Sequence, residues 1–297
     1  MGKIFQKIFK PDFVFVLGMI FLIGVPVWIF FVVPNLLKLP NNFSYEAETT
    51  SVDNFYNEDY GDYQGEQYSV SEFKYFVEGS AEDNLLIRNI FNVRTSTGEE
   101  IFSVERLYGI DPKTGAHVKG LGDKGRDGYL FAPRGLKAGE SFIYWHVTND
   151  IPGVMKYVGE ENLYGLKVFK YETDYDGALV DLTAEHDYLS DVPESKGLKL
   201  NMHLELWVEP VSGHLVKSLD YSNDYFYYNI KTGEKLGPFN KFINKFSEDS
   251  VKAHVEEAQF EKSKVRFCDT YFPLILVLIA LWLLGFVKKI TTVPRKF

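Results

Sequence analysis

Between Phe13 and Val33 stand 21 residues without a single charge, most of them Phe, Ile, Val and Leu. Wound as a helix at about 1.5 Å per residue, such a run is roughly 30 Å long, the thickness of a bilayer's hydrocarbon core. Pro26 would break a soluble helix, but a membrane-spanning one tolerates it because neighbouring groups take up the freed backbone. A cleaved export signal has an apolar stretch of about 7–15 residues that ends in small side chains. This run is longer and ends Phe30-Phe31-Val32-Val33-Pro34-Asn35-Leu36, so residues 13–34 read as a retained anchor. A second apolar run, residues 271–287, carries Trp282 inside it and Tyr271 at its edge. It is short for a span, and Ile290 extends it if Lys288 and Lys289 snorkel.

Charge orients the two runs. Lys3, Lys7 and Lys10 precede the first, and Lys288, Lys289, Arg295 and Lys296 follow the second. Lys and Arg mark the cytoplasmic side, which places residues 1–12 and 288–297 inside and the middle of the chain outside. Lys262, Lys264 and Arg266 oppose that assignment, but two spans force both ends to one side and the N-terminal cluster decides. The full chain carries −9; without the terminal bases and Asp12 the remainder holds 25 bases against 40 acids. A surface of that sign repels phosphate, so nucleic acid is excluded as a partner. Cys268 is the only cysteine, so no intrachain disulfide forms. The outer part must therefore be stable through its core alone, which a chain of this length supplies.

Between the spans the pattern is that of strands. Residues 35–68 read as an acidic, tyrosine-rich tether with no clear period. From 69 to 246, apolar and β-branched residues alternate in short runs: Tyr68–Val77, Leu85–Val93, Ile101–Ile110, Ser141–Val147, Leu163–Glu172 and Leu198–Val208. Thr97-Gly98, Thr114-Gly115, Ser212-Gly213 and Thr232-Gly233 recur between them as turn signals, glycine supplying positive φ. No strand–helix–strand alternation is visible, so the expected fold is mainly β: a large antiparallel outer domain, a curved sheet or barrel-like, held between two transmembrane helices. One outer helix, 247–266, precedes the second span. Ser247 is its cap, Glu248 and Asp249 suit its positive end, Phe246 and Val251 have staple spacing, and Val251, Val255, Ala258 and Val265 make a thin apolar stripe.

One segment occurs twice. Ile110-Asp111-Pro112-Lys113-Thr114-Gly115 and Val208-Glu209-Pro210-Val211-Ser212-Gly213 both read apolar, acid, Pro, any, hydroxyl, Gly. Proline presets φ, the acid accepts backbone N–H groups, and glycine takes the left-handed position. Asp111, Pro112, Gly115, Glu209, Pro210 and Gly213 are thus expected as structural turns, with a ligand role for Asp111 and Glu209 as the lesser reading. Five blocks follow in order: Leu107–Gly115, Gly128–Gly135, Phe142–His146, Tyr164–Glu172 and Trp207–Gly213. Together they resemble the PorA family, a domain of unknown function, over roughly residues 13–287. The family usually has Asp where His146 stands. The resemblance implies an envelope protein with two anchors.

Catalytic signatures are missing. His117, His146, His186, His203, His214 and His254 form neither His-x-x-x-His nor His-Glu-x-x-His, and no phosphate loop or nucleophile elbow occurs. His203 with Glu205, and Glu185-His186-Asp187, read as solvated surface. Asp174, Asp176, Gly177 and Asp181 have carboxylates at loop spacing but lack a full calcium-loop pattern, as do Asp123 and Asp127. Neither an enzyme nor a cofactor or metal is expected. A transmembrane β-barrel needs strands whose lipid-facing residues alternate over about 9–11 residues; several outward positions here would carry charge, the hydrophobicity sits in the two helices, and neither span carries an ionisable group. Clusters such as Tyr225–Tyr228, Tyr144-Trp145 and Tyr129–Phe131 make an aromatic core or an apolar groove. The reading is a two-pass plasma-membrane protein that handles lipid or another apolar ligand at the membrane face. An envelope scaffold with a protein partner, or a homo-oligomeric porin-like channel, are the alternatives.

Overall fold

The computed structural model describes residues 11–180 and 195–291. Asp181 and the 185–187 cluster lie outside the described residues. The chain forms two compact units: its two ends, up to Lys38 and from Lys262, and the stretch Leu39–Glu261 between them.

The terminal unit is helical. Helix α1 (Pro11–Val27) passes through a wide turn, π1 (Trp28–Val32), into α2 (Val33–Leu36). Near the other end α3 (Glu248–Arg266) continues through π2 (Phe267–Tyr271) into α4 (Phe272–Thr291). Both wide turns have the same cause. Pro34 and Pro273 each follow the turn at the same spacing, lack an N–H, and would press their rings on the carbonyl four residues back. Widening the turn relieves that clash. The Phe272 N–H then reaches back to the Phe267 carbonyl, which deprives the Cys268 carbonyl of its usual donor. Trp28 Nε1 fills the gap, donating to Cys268 O at 2.9 Å, while its ring packs on Phe272 with centroids 4.1 Å apart. The helices also approach closely at Gly18, where an added Cβ would lie 3.0 Å from Leu284. Asp12–Leu36 and Glu248–Gly285 are both long and apolar enough to cross a membrane.

The middle unit is an antiparallel sheet of twelve strands: β1 (Ser44–Asn57), β2 (Asp62–Tyr63), β3 (Gln67–Ala81), β4 (Asn84–Thr95), β5 (Glu100–Ile110), β6 (His117–Gly122), β7 (Phe142–His146), β8 (Ile151–Leu163), β9 (Leu166–Leu179), β10 (Lys196–Glu209), β11 (His214–Asn229) and β12 (Lys235–Phe246). The order is β6-β5-β4-β3-β1-β12-β11-β10-β9-β8-β7, with β2 paired to β1 off this path. Two meanders of consecutive strands therefore meet at a single seam, where Thr49 lies opposite Phe246 and Phe55 opposite Asn240.

Two expectations from the sequence are corrected here. The stretch 35–68 is not a tether alone, because β1 runs through it at the centre of the sheet. Its inward residues are Tyr45, Ala47, Thr49 and Ser51, all buried. Small and hydroxyl side chains face the core there, so the period of two never shows as hydrophobicity. The strands are also longer than their apolar runs: β3 has 15 residues, β10 14 and β11 16. Bulges such as those at Val77/Gly79 and Leu200/Met202 carry pairing through points that read as ends. Nevertheless the sheet is not closed into a barrel, and β6 and β7 are its edges.

Those edges meet the same short segment. The His117 N–H donates to Gly128 O, the Tyr129 N–H to Ile143 O, and the Trp145 N–H to Tyr129 O. The β6–β7 loop that carries Gly128 and Tyr129 then buries Leu130 and Leu136 in the core. Leu200, Leu204, Leu206, Tyr171 and Met155 form one apolar cluster; Ile87, Tyr108, Ile110, Tyr45 and Tyr75 form another. Alternate residues of β9–β11 point the other way. There Leu166, Val168, Trp207 and Val216 receive Val251, Val255 and Ala258 of α3. Ser247 starts that helix, its hydroxyl accepting the Ser250 N–H at 3.2 Å.

Candidate functional site

The two repeated corners come first because the sequence singles them out. At the β5–β6 corner, Asp111 accepts the Lys113 N–H and the Thr114 hydroxyl, each at 2.9 Å, and the Gly115 N–H returns to its carbonyl at 2.8 Å. At the β10–β11 corner, Glu209 Oε2 accepts the N–H groups of Val211 and Ser212 at 3.1 and 2.7 Å and the Ser212 hydroxyl at 2.9 Å. Pro112 and Pro210 open the two turns, and Gly115 and Gly213 hold φ of 77° and 76°. Each carboxylate is thus engaged within its own turn. Surroundings distinguish the corners. Gly115 faces open space, whereas Gly213 lies beneath the backbone of Ala132 and Pro133 from the β6–β7 loop. That loop is fastened there by Leu136 N–H to Pro210 O at 2.9 Å.

Inside the curl of the sheet is a cavity of about 40 Å³, lined among others by Thr49, Tyr75, Phe131, Tyr144, His146 and Asp220. The Asn149 N–H donates to His146 Nδ1 at 3.2 Å, which leaves the ring proton on Nε2, facing Asp220 Oδ2 at 3.3 Å. Burial pushes the hydroxyls of Tyr45, Tyr75 and Tyr144 well up, so these phenols stay protonated. The space suits one or two waters among polar groups, not an organic ligand.

A charged knot sits beside the β6 edge. Asp150, buried with φ of 51°, accepts from Arg126 Nε at 3.0 Å, Lys124 Nζ at 2.6 Å and Trp145 Nε1 at 2.5 Å. Burial alone would raise its pKa; the Arg126 and Lys124 donors outweigh that and hold the carboxyl below its usual range. Arg126 also reaches Asp123 and lies over the Tyr108 ring at 4.4 Å. His117 packs on Tyr108 and Trp145, and burial, with Arg126 second, pulls it down to about 4. The knot locks loops together, and its groups are committed to one another.

Two further clusters gather histidines and carboxylates. On an outward strand face, His203 Nδ1 meets Asp174 at 2.7 Å, and His203 Nε2 lies 3.5 Å from Glu205 and 3.9 Å from Glu172. Where β11 meets α3, His214 Nε2 lies 3.2 Å from His254 Nδ1, with Glu257 Oε2 3.6 and 3.5 Å from the two nitrogens. The His254 ring lies flat on Tyr45, 4.5 Å away at 11°. Sequence reasoning missed this second cluster because its parts come from a turn and a helix 40 residues apart. The available signal was His254, Glu257 and Glu261 at i, i+3 and i+7 of the expected helix, which puts all three on one face.

Comparison with known proteins adds a family. No curated protein matches the chain. A solved structure of a DUF1329 family protein from Desulfovibrio piger aligns over 76% of this chain and 90% of its own, at 9% identity and a TM-score of 0.19, a likeness too slight to bear on fold or function. The family model described as Porin PorA matches residues 140–287. From Glu140 to Val287, which takes in β7–β12 and the helices after them, the chain is PorA-like.

Proposed function

We propose that the chain is a two-span protein of the cell envelope, with both termini in the cytoplasm and the sheet outside as a non-enzymatic scaffold for an envelope partner. The observation that carries the anchoring is the exposure of large apolar side chains on the helix pair. Phe30 is 72% exposed, Phe31 71%, Leu278 57% and Trp282 60%. Water does not tolerate such a surface, and a bilayer solvates it. The basic residues flanking both helices support the orientation.

Scaffolding fits the interior better than lipid handling. Sites for small organic ligands occupy about 300–1,000 Å³, whereas the cavity beside His146 and Asp220 holds about 40 Å³. The porin in the family's description would require several copies of this chain, since the sheet is open and residues 13–33 and 272–287 carry no charge. The test combines topology and ligand. Tags at Met1 and Phe297 should be protected from protease added to intact cells, while a cleavage site at the exposed Tyr60-Gly61 turn should be cut. Digestion of either tag refutes the orientation, and stoichiometric lipid in the mildly extracted protein refutes the scaffold.

A further inference from the structure

We propose that His214, His254 and Glu257 form a site for a divalent transition-metal ion of the zinc type, which ties the β10–β11 corner to α3. Spacing is the first ground. The three donor atoms lie 3.2, 3.5 and 3.6 Å from one another. An ion holding nitrogen and oxygen at about 2.0–2.1 Å in a tetrahedron separates its ligands by roughly 3.3–3.4 Å. Two imidazoles and a carboxylate also match the chemistry of zinc, whereas calcium and magnesium take oxygen donors.

Orientation is the second ground. His214 Nδ1 faces Glu261 Oε2 at 3.1 Å. A proton held there leaves the Nε2 lone pair aimed at His254 and Glu257, which is how a carboxylate behind a histidine prepares it for a metal. His254 is 2% exposed and its ring is fixed against Tyr45 and Phe246. Its Nδ1 faces the cluster and its Nε2 is buried with no hydrogen-bond partner. Elements of independent origin fix both histidines. The Gly213 turn sets His214, whose N–H donates to the Ser212 hydroxyl at 3.3 Å, and the packed stripe of α3 sets His254.

The His203 cluster makes a useful contrast. It has one histidine rather than two, and the Lys170 ammonium sits 2.9 Å from Glu205. A fixed cation occupies the place a metal would compete for.

Glu257 is largely exposed, so solvent reaches the site and can complete the coordination. The ion would act as a clamp holding α3 on the sheet.

The experiment uses the full chain in detergent, stripped with a chelator and titrated with zinc ion by calorimetry, with bound metal counted by elemental analysis. One equivalent should bind, and cobalt ion in its place should give the visible absorption of a four-coordinate centre. Glu257→Gln, at an exposed position, should weaken zinc binding at least 100-fold with the fold intact. Glu261→Gln should weaken it about 10–100-fold, and His203→Gln should leave it unchanged. If the wild type binds no stoichiometric zinc, the cluster is an ordinary hydrogen-bonded network and the proposal is overturned. Binding that survives Glu257→Gln and His214→Gln but falls with His203→Gln overturns it equally.

Discussion

Gly115 and Gly213 stand at matching places in a repeated turn, hold nearly the same φ, and differ in what lies above them, so a paired substitution isolates one contact. An alanine at either position pays for the left-handed backbone, about 1–2 kcal/mol. At Gly115 nothing lies within 4 Å of the new Cβ, and that strain is the whole cost. At Gly213 the same carbon would stand 2.6 Å from the Ala132 carbonyl oxygen and 2.8 Å from that of Pro133. Those are backbone atoms of the β6–β7 loop, so the loop itself must shift; overpacking of this kind costs about 1–3 kcal/mol more. For a unit of this size each kcal/mol lowers Tm by about 2–4 °C. Gly115→Ala should therefore melt roughly 2–8 °C below wild type and Gly213→Ala several degrees lower still. Thermal unfolding of the full chain in detergent, followed by the sheet's circular dichroism, reads both. The β6–β7 loop should also be cut faster by protease in Gly213→Ala alone. Equal shifts in Tm with unchanged cleavage would refute the seating of that loop on the corner.

The remaining predictions concern the helix pair and acid. Trp28→Phe keeps the ring beside Phe272 but withdraws the donor from Cys268 O, a loss of about 1–3 kcal/mol. Its midpoint in a denaturant titration of the detergent-solubilised chain should fall, while that of Phe31→Leu, at an exposed ring, stays put; equal midpoints would show the carbonyl finds another donor. His117 sits near 4 when folded, against an ordinary value of 6.5. The unfolded chain then takes up the proton first, so this group's contribution declines as pH falls from about 6.5 towards 4, by up to about 3 kcal/mol. His117→Gln should flatten the stability profile across that window; an unchanged slope would place the acid sensitivity elsewhere.

The features legible in the sequence are those in which neighbouring residues share one signal. The charge-free runs announced the two apolar helices, and the acid, hydroxyl and Ser247 signals before α3 announced where it begins. Gly98, Gly115, Gly213 and Gly233 all have positive φ, a requirement written in each turn's own few residues. Features set by distant partners left no such trace. β1 escaped because Thr49 and Ser51 fill inward positions whose neighbours across the seam are supplied by β12. The wide turns were missed although Pro34 and Pro273 were in plain view, since a proline in an apolar run says that the ladder breaks and not how it is repaired. His254 shows only its helical spacing to Glu257 and Glu261, and nothing in the sequence joins it to His214 until the turn and the helix are in place.

The seam between β1 and β12 bears on how the chain is made. Asp53 and the Asn240 that hydrogen-bonds to it are 187 residues apart, and closing a contact so distant is slow. Every other pairing in the main ladder joins strands that are consecutive or separated only by the short β2. During synthesis the β1–β6 meander can form as it emerges, while β1 waits at its margin with one row of N–H and C=O groups unpaired. Such a margin invites pairing with another chain. Ser44, Glu46 and Glu48 face outward along it, and two like charges on neighbouring outward positions oppose stacking against an identical copy. Glu46 and Glu48 are thus placed where like charge opposes such pairing for as long as β12 has not arrived.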